Sequence, residues 1–284
     1  MTDDWRIEIR NRLAASTMTP DDARAIVKLK NKNIPGKLFK YRVFSEYSLA
    51  NLRNKTLYCS HADEFNDPYE CAIQLTVARP PAMESLLDEA KHTLDSISFE
   101  RLMRRTTLLT EAQSEAVGRS FAEKIKSVIK ICSLSERIDS MLMWSHYTGN
   151  HTGFAMEYDF RNLINTDKIP NFLWPVIYEN SIPDASELMS ALLQDNPTDP
   201  FNNVFGISAA IRKALDWQYE QEWRLVLFHE TALNIQAPLK AIYLGTRIAD
   251  QHKNSLINEA NALEIPVYQM KLAHRTFEMS YSQI

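Results

Sequence analysis

The sequence predicts an α+β fold: a mixed or antiparallel central sheet carrying a helical insertion. Three observations carry this expectation. Strand-like and helical segments follow one another without the strict βαβ rhythm of a doubly wound sheet. The 284 residues, 45% hydrophobic and 24% charged, have ordinary globular composition and enough length for one large core or two small domains. Glycine is scarce: six residues (Gly36, Gly118, Gly149, Gly153, Gly206 and Gly245), none spaced for a GxGxxG turn or a Walker loop. That scarcity speaks against P-loop, Rossmann and kinase folds, whose phosphates rest on glycine-rich backbone.

The elements read in order as follows. Residues 1–35 form an N-terminal helical extension of two short helices. Thr19-Pro20-Asp21-Asp22 gives the second a cap hydroxyl, a proline in the first turn and acids at the positive end of the dipole. Pro35-Gly36 ends it. Residues 36–284 then form a single α+β domain. Strands are expected at 37–44, 56–60 and 69–77, with helix at 48–53 and a polar turn at 61–68, where Asn66-Asp67-Pro68 is turn chemistry. After Pro80-Pro81, residues 82–130 read as the helical insertion, with Met83, Leu86, Leu87, Ala90 and Leu94 at helical spacing and a Thr110/Gln113 capping box. Further strands are expected at 131–134, 153–158, 174–178, 222–228, 241–244 and 265–270, with helices at 186–193 and 208–215.

Composition excludes several classes. A net charge of -4 gives no global field for nucleic acid, and Lys124, Lys126 and Lys130 read as a solvated helix face. No apolar run approaches a membrane span, and the acidic start Met1-Thr2-Asp3-Asp4 is unlike a signal peptide. Cys59, Cys71 and Cys132 are scattered, without a CxxC, and read as reduced thiols of a cytoplasmic protein.

Two stretches are dense in chemistry. In Tyr219-Glu220-Gln221-Glu222-Trp223-Arg224, two carboxylates enter an apolar run. On an extended strand Glu220 and Glu222 would share a face, and at least one is expected to point into a cleft. The other stretch, residues 139–154, sets Trp144, Ser145, His146, Tyr147 and His151 beside Gly149 and Gly153. His146 and His151 are five apart, which does not stack them on one helical face; they could converge through the Gly149 turn, but no third ligand has recognisable spacing, so no metal is expected. For each residue alone the preferred reading is the simpler one: a buried His146 bonded to backbone and His151 at a turn. Ser145 beside His146 does not make a hydrolase triad, since neighbours on a helix diverge by about 100°. Asp63, Glu64, Asp67 and Glu70 with His61 could hold Mg²⁺ for phosphodiester cleavage, or they are a solvated turn whose Asp67 bonds its own backbone.

Taken together, these boxes resemble a bacterial family catalogued only as a domain of unknown function (number 2971). They are Leu38-Phe39-Lys40-Tyr41-Arg42, Leu57-Tyr58-Cys59-Ser60, Phe65-Asn66-Asp67-Pro68-Tyr69-Glu70, Cys132-Ser133-Leu134-Ser135, Met143-Trp144-Ser145-His146-Tyr147, His151-Thr152-Gly153-Phe154, Glu222-Trp223-Arg224 and Ile242-Tyr243-Leu244-Gly245. The family implies no activity. A shorter resemblance, to ADP-ribosyltransferases, rests on Arg42 ending the first strand, Ser60 ending the second and Glu222 opening a later one; the usual Ser-Thr-Ser triplet is replaced by Cys59-Ser60-His61. It implies an NAD cleft. Arg42 would fork onto the pyrophosphate, Ser60 orient the nicotinamide ribose, and Glu222 stabilise an oxocarbenium-like state, with His146 as a further catalytic candidate. Tyr41, Tyr147, Trp144, Glu220 and His151 would line the cofactor site, with Tyr147 or Trp144 stacking on nicotinamide. The protein would be an NAD-dependent transferase or NAD glycohydrolase acting on an unidentified acceptor, as a toxin or phage-defence effector. The rivals are a non-catalytic sensor module binding through residues 146–153 and a metal-dependent nuclease using His61, Asp63, Asp67 and His146.

Overall fold

The apolar run ending in Leu225-Val226-Leu227-Phe228 becomes a strand buried along nearly its whole length, because sheet neighbours flank it and packed layers cover both of its faces. A computed structural model of the chain describes residues 4–15, 18–75, 88–105, 111–186, 203–228 and 234–284. Among these, nine strands form one sheet. We number the strands β1 (Leu38–Arg42), β2 (Thr56–Tyr58), β3 (Ser60–His61), β4 (Ile129–Ser135), β5 (Phe154–Tyr158), β6 (Leu173–Pro175), β7 (Ile177–Glu179), β8 (Arg212–Ala214), β9 (Glu222–Phe228), β10 (Asn234–Gln236), β11 (Leu239–Leu244), β12 (Val267–Leu272) and β13 (Met279–Gln283). The main sheet runs β13-β12-β11-β5-β1-β4-β9-β6, with β3 also on β4. Within this sheet only β11 and β12 pair in parallel, among the described residues; the helix Asp250–Ala262 makes the crossover between them. The α+β class and the mixed, mostly antiparallel sheet expected from the sequence are what the structure has.

One core layer holds Leu134, Phe154, Tyr158, Trp223 and Leu225. On the other face, Ile129, Ile131 and Val226 pack with Ile9, Ile26, Ile125 and Phe205. The N-terminal helices Asp4–Leu13 and Pro20–Lys32 therefore contribute to the core. Thr19 caps the second in a capping box with Asp22, as its sequence predicts. The helix Glu111–Val128 buries Ile125 in the same layer and runs directly into β4, so the strand begins at Ile129, inside the stretch expected to be insertion.

Other expectations need correcting. Residues 69–75 are not a strand. Tyr69 and Glu70 lie in a turn, Asp67 Oδ1 accepts the Tyr69 amide at 2.9 Å, and Cys71 has φ 55°, which breaks extension. The helix expected at 208–215 lies instead at Asn203–Ala210, and β8 follows it. The strand expected at 174–178 is two short strands, β6 and β7. Met83, Leu86, Leu87, Thr110 and most of the 186–193 helix fall outside the described residues.

The topology opens the sheet at one place. β1 pairs with β4 only at Phe39 and Ser135, while the same edge of β4 is taken up at Ile131 and Lys130 by β3. Between these contacts the edge of β4 faces a gap.

Candidate functional site

A cavity of about 340 Å³ lies at this gap, and its lining includes Lys40, Arg42, Ser60, Lys213, Glu220 and Glu222. Each wall has a local cause. β5 lies beside β1 in full register, with Arg42 opposite Phe154, and the turn that leads into β5 braces the end of β1. There a Cβ on Gly153 would meet the Arg42 carbonyl oxygen at 2.1 Å, and one on Gly245 would meet that of His151 at 2.2 Å. Only glycine allows these backbones so close. Gly149, Asn150 and His151 are all left-handed, at φ 61°, 59° and 68°. The His151-Thr152-Gly153-Phe154 box thus fixes where Arg42 stands.

The opposite wall is the Glu220/Glu222 pair. The two do not converge by strand alternation, because Glu220 ends the 3₁₀ helix Leu215–Glu220 and only Glu222 is in β9. Between them Gln221 is left-handed at φ 43°, and this kink turns both carboxylates onto Lys213. Lys213 Nζ donates to Glu220 Oε2 at 2.5 Å and to Glu222 Oε2 at 3.0 Å. Tyr147 OH donates to the other oxygen of Glu220. The other oxygen of Glu222 accepts from Arg224 Nε at 2.8 Å. Arg224, fully buried, also forks onto both oxygens of Glu70 and donates to the Ala210 carbonyl.

These surroundings push the two carboxyls apart. Burial raises Glu220 above the usual carboxylate range, and the neighbouring charge of Glu222 adds to the rise. Burial opposes ionisation of Glu222 as well, but Arg224 and then Lys213 more than offset it and hold Glu222 well below that range. One site therefore contains a fixed anion beside a carboxyl that takes a proton more readily.

Arg42 and Lys40 are different. By register Phe39, Ser135 and Glu222 share a face of the sheet, so Lys40 and Arg42 project from the other. Both groups still reach the cavity because the strands part there. Lys40 Nζ donates to the Ser133 carbonyl at 2.8 Å, and burial, with the charge of Arg42, lowers its pKa. The Arg42 Nε is buried with no partner. Neither cation forms an ion pair among the described residues.

Of the residues singled out in the sequence, the cavity brings together Arg42, Ser60, Glu222, Glu220, Tyr41 and Tyr147. Tyr41 is buried and gives its hydroxyl to the Arg137 carbonyl at 2.6 Å. Trp144, His146 and His151 are not in the lining. Trp144 is fully buried with its indole N–H on the Ile138 carbonyl, so it cannot stack on a ligand. His146 is exposed and bonds the Tyr219 hydroxyl through Nδ1, not backbone. His151 Nε2 meets Ser145 Oγ at 3.1 Å, a pairing that nothing in the spacing of the two residues signals. Lys40 and Lys213 were missed; only the odd position of a lysine between Phe39 and Tyr41 could have flagged the first. Among the described residues no three His, Cys, Asp or Glu side chains gather as metal ligands, and no helix is long and apolar enough to cross a membrane.

Glu222 is expected to matter to stability as well as to any chemistry. Glu222→Gln removes the charge that Arg224 and Lys213 share and should cost roughly 3 kcal/mol at neutral pH, read from denaturant unfolding. Because the folded value of Glu222 is depressed, its contribution is present above the unfolded value near 4.5 and fades as pH falls below it. The parent and the variant should therefore converge in acid. A gap between them that did not narrow would contradict this assignment.

No curated protein and no solved structure matches the chain. Residues 143–225, which supply Tyr147, Lys213, Glu220 and Glu222 to the cavity, match the model of the family described as protein of unknown function (DUF2971), and over this stretch the resemblance read from the sequence holds.

Proposed function

We propose that the cavity binds a nucleotide-type anion, with NAD as the ligand, and that the protein is ADP-ribosyltransferase-like. The observation that carries this reading is the charge arrangement: two cations without carboxylate partners, Lys40 and Arg42, face a carboxylate pair across one opening. A pyrophosphate would give both cations the partners they lack, with Arg42 as a bidentate fork. No glycine loop is then needed. The ribose would lie toward Glu222, whose permanent charge offsets the positive charge that builds as the C–N bond to nicotinamide breaks. Nicotinamide leaves with the bonding electron pair. An acceptor hydroxyl or water forms the new bond and gives up its proton to Glu220, whereas a carboxylate acceptor has no proton to lose. A toxin or phage-defence role would follow from NAD consumption or acceptor modification.

A second reading is favoured by one observation: both oxygens of Glu222 are already engaged by protein cations. This suits a sensor that binds NAD and leaves it intact. Incubating purified protein with NAD and measuring both binding and nicotinamide release separates the readings. Release is the expected result. Binding without release supports the sensor, and absence of both overturns the NAD assignment. Arg42→Ala should weaken NAD binding by about tenfold or more, the value of a charge-assisted hydrogen bond, without lowering the melting temperature.

A further inference from the structure

A second cavity, of about 330 Å³, shares Lys213 with the first as a lining residue. Its lining joins an apolar part, with Tyr69, Ile182, Pro183 and Ala214, to a polar part made of Asn180, Ser181, the carboxylate Glu179 and the cations Arg212 and Lys213. Tyr69 and Ile182 are exposed there, at 61% and 42%. The two cations are not equivalent. Lys213 is committed to Glu220 and Glu222. Arg212 is only 8% exposed and has one carboxylate, Glu179, at 2.6 Å. That carboxylate is shared with Arg10 at 3.7 Å. The Arg212 Nε is buried with no partner at all.

Glu179 thus faces two arginines at once, and the Arg212 guanidinium keeps a donor, Nε, that no carboxylate takes. A buried arginine left in this state is stabilised by an anion that accepts from it. A phosphate fits poorly, because Lys213 is committed to its own carboxylates and Glu179 in the same wall would repel a multiply charged anion. A carboxylate needs only the guanidinium fork, and the Tyr69 ring with Ile182 and Pro183 would cover an apolar body behind it. We propose that this cavity is a binding site for small organic acids with an apolar body, anchored on Arg212. The site stands apart from the NAD reading: it uses no residue of the Lys40–Arg42 wall, so either assignment can fail alone.

Titration with benzoate, and in parallel with its uncharged analogue benzamide, followed by amide chemical shifts, tests it. Benzoate should bind about tenfold more tightly than benzamide, one charge-assisted hydrogen bond's worth. Its shifts should centre on the segment 179–183 and on β8. Ala214→Phe fills the cavity while leaving every ion pair in place, and should abolish benzoate binding. Arg212→Lys keeps the charge but removes the Nε donor and the fork, and should weaken benzoate severalfold while leaving benzamide unchanged. If Arg212→Lys does not fold, the benzoate-to-benzamide ratio and the Ala214→Phe variant still decide. Equal binding of the two probes, no binding at millimolar benzoate, or benzoate binding that survives Ala214→Phe would overturn the proposal.

Discussion

Replacing Arg224 with methionine should destabilise the protein by about 5 kcal/mol, read from denaturant unfolding, and leave little folded protein at room temperature. Arg224 is fully buried and is shared by two buried carboxylates from distant parts of the chain. Methionine fills similar volume but strands Glu70, and leaves Glu222 with Lys213 alone. Removing one member of a buried ion network leaves uncompensated charge, which costs far more than the network contributes relative to apolar residues. A triple variant, Arg224→Met with Glu70→Gln and Glu222→Gln, should therefore recover much of the loss. A loss under about 1 kcal/mol for Arg224→Met alone would show that the network is solvated and not structural.

The same arginine ties stability to the shape of the site. Its fork on Glu70 holds the turn that also carries Phe65 and Asn66, two lining residues of the first cavity, and its Nη1 holds the end of the helix Asn203–Ala210. The guanidinium carbon also stands 5.8 Å from the centre of the Phe65 ring. Loss of Arg224 should thus loosen the cavity rim before it unfolds the sheet. That order is visible as faster amide exchange at 62–71 in a milder variant such as Glu70→Gln.

Much of this was legible in the sequence where one rule dominated. The Thr19-Pro20-Asp21-Asp22 start became a capped helix because cap, proline and acids all agree. The strands β1, β5, β9 and β11 followed from their apolar runs. The errors fall where local pattern and tertiary position conflict. Glu220 and Glu222 do converge, but not by the strand alternation their spacing suggests: a left-handed Gln221 does the turning. Nothing in Ile211-Arg212-Lys213-Ala214 signals that Lys213 is the centre of an ion network, since its partners lie at the end of the following 3₁₀ helix and just past it. Trp144 read as a ligand platform because it stands among polar residues, yet position 144 is on the core side of the helix Met141–Tyr147. The strand β13, Met279-Ser280-Tyr281-Ser282-Gln283, was overlooked; it is short, mostly polar and paired only with β12.

Lys30→Met is expected to act in the opposite direction to Arg224→Met and to stabilise the protein by about 2 kcal/mol at pH 7. Lys30 is fully buried near the end of the helix Pro20–Lys32. Its Nζ donates to the Pro170 carbonyl and to Asn31 Oδ1 at 2.9 Å, and stands 5.1 Å from the centre of the Trp174 ring. None of these partners is an anion, so burial lowers its pKa to about 7 from an ordinary 10.5. The sign follows from proton counts. Below pH 7 both folded and unfolded chains carry the proton, and the folded state bears the full penalty of a buried charge. Between pH 7 and 10.5 the unfolded chain binds the extra proton, so stability rises with pH by up to about 1.4 kcal/mol per unit. Above 10.5 both states are neutral and the penalty is gone. Over that window it amounts to roughly 5 kcal/mol, from which the loss of two hydrogen bonds in the variant must be subtracted. Denaturant unfolding of parent and variant from pH 6 to pH 10 isolates the lysine, because every other group titrates in both. The advantage of methionine should be full at pH 6, shrink above pH 7 and vanish or reverse near pH 10. An advantage that stays constant across this range would mean that Lys30 keeps its proton in the fold, held there by Trp174 and the Pro170 carbonyl.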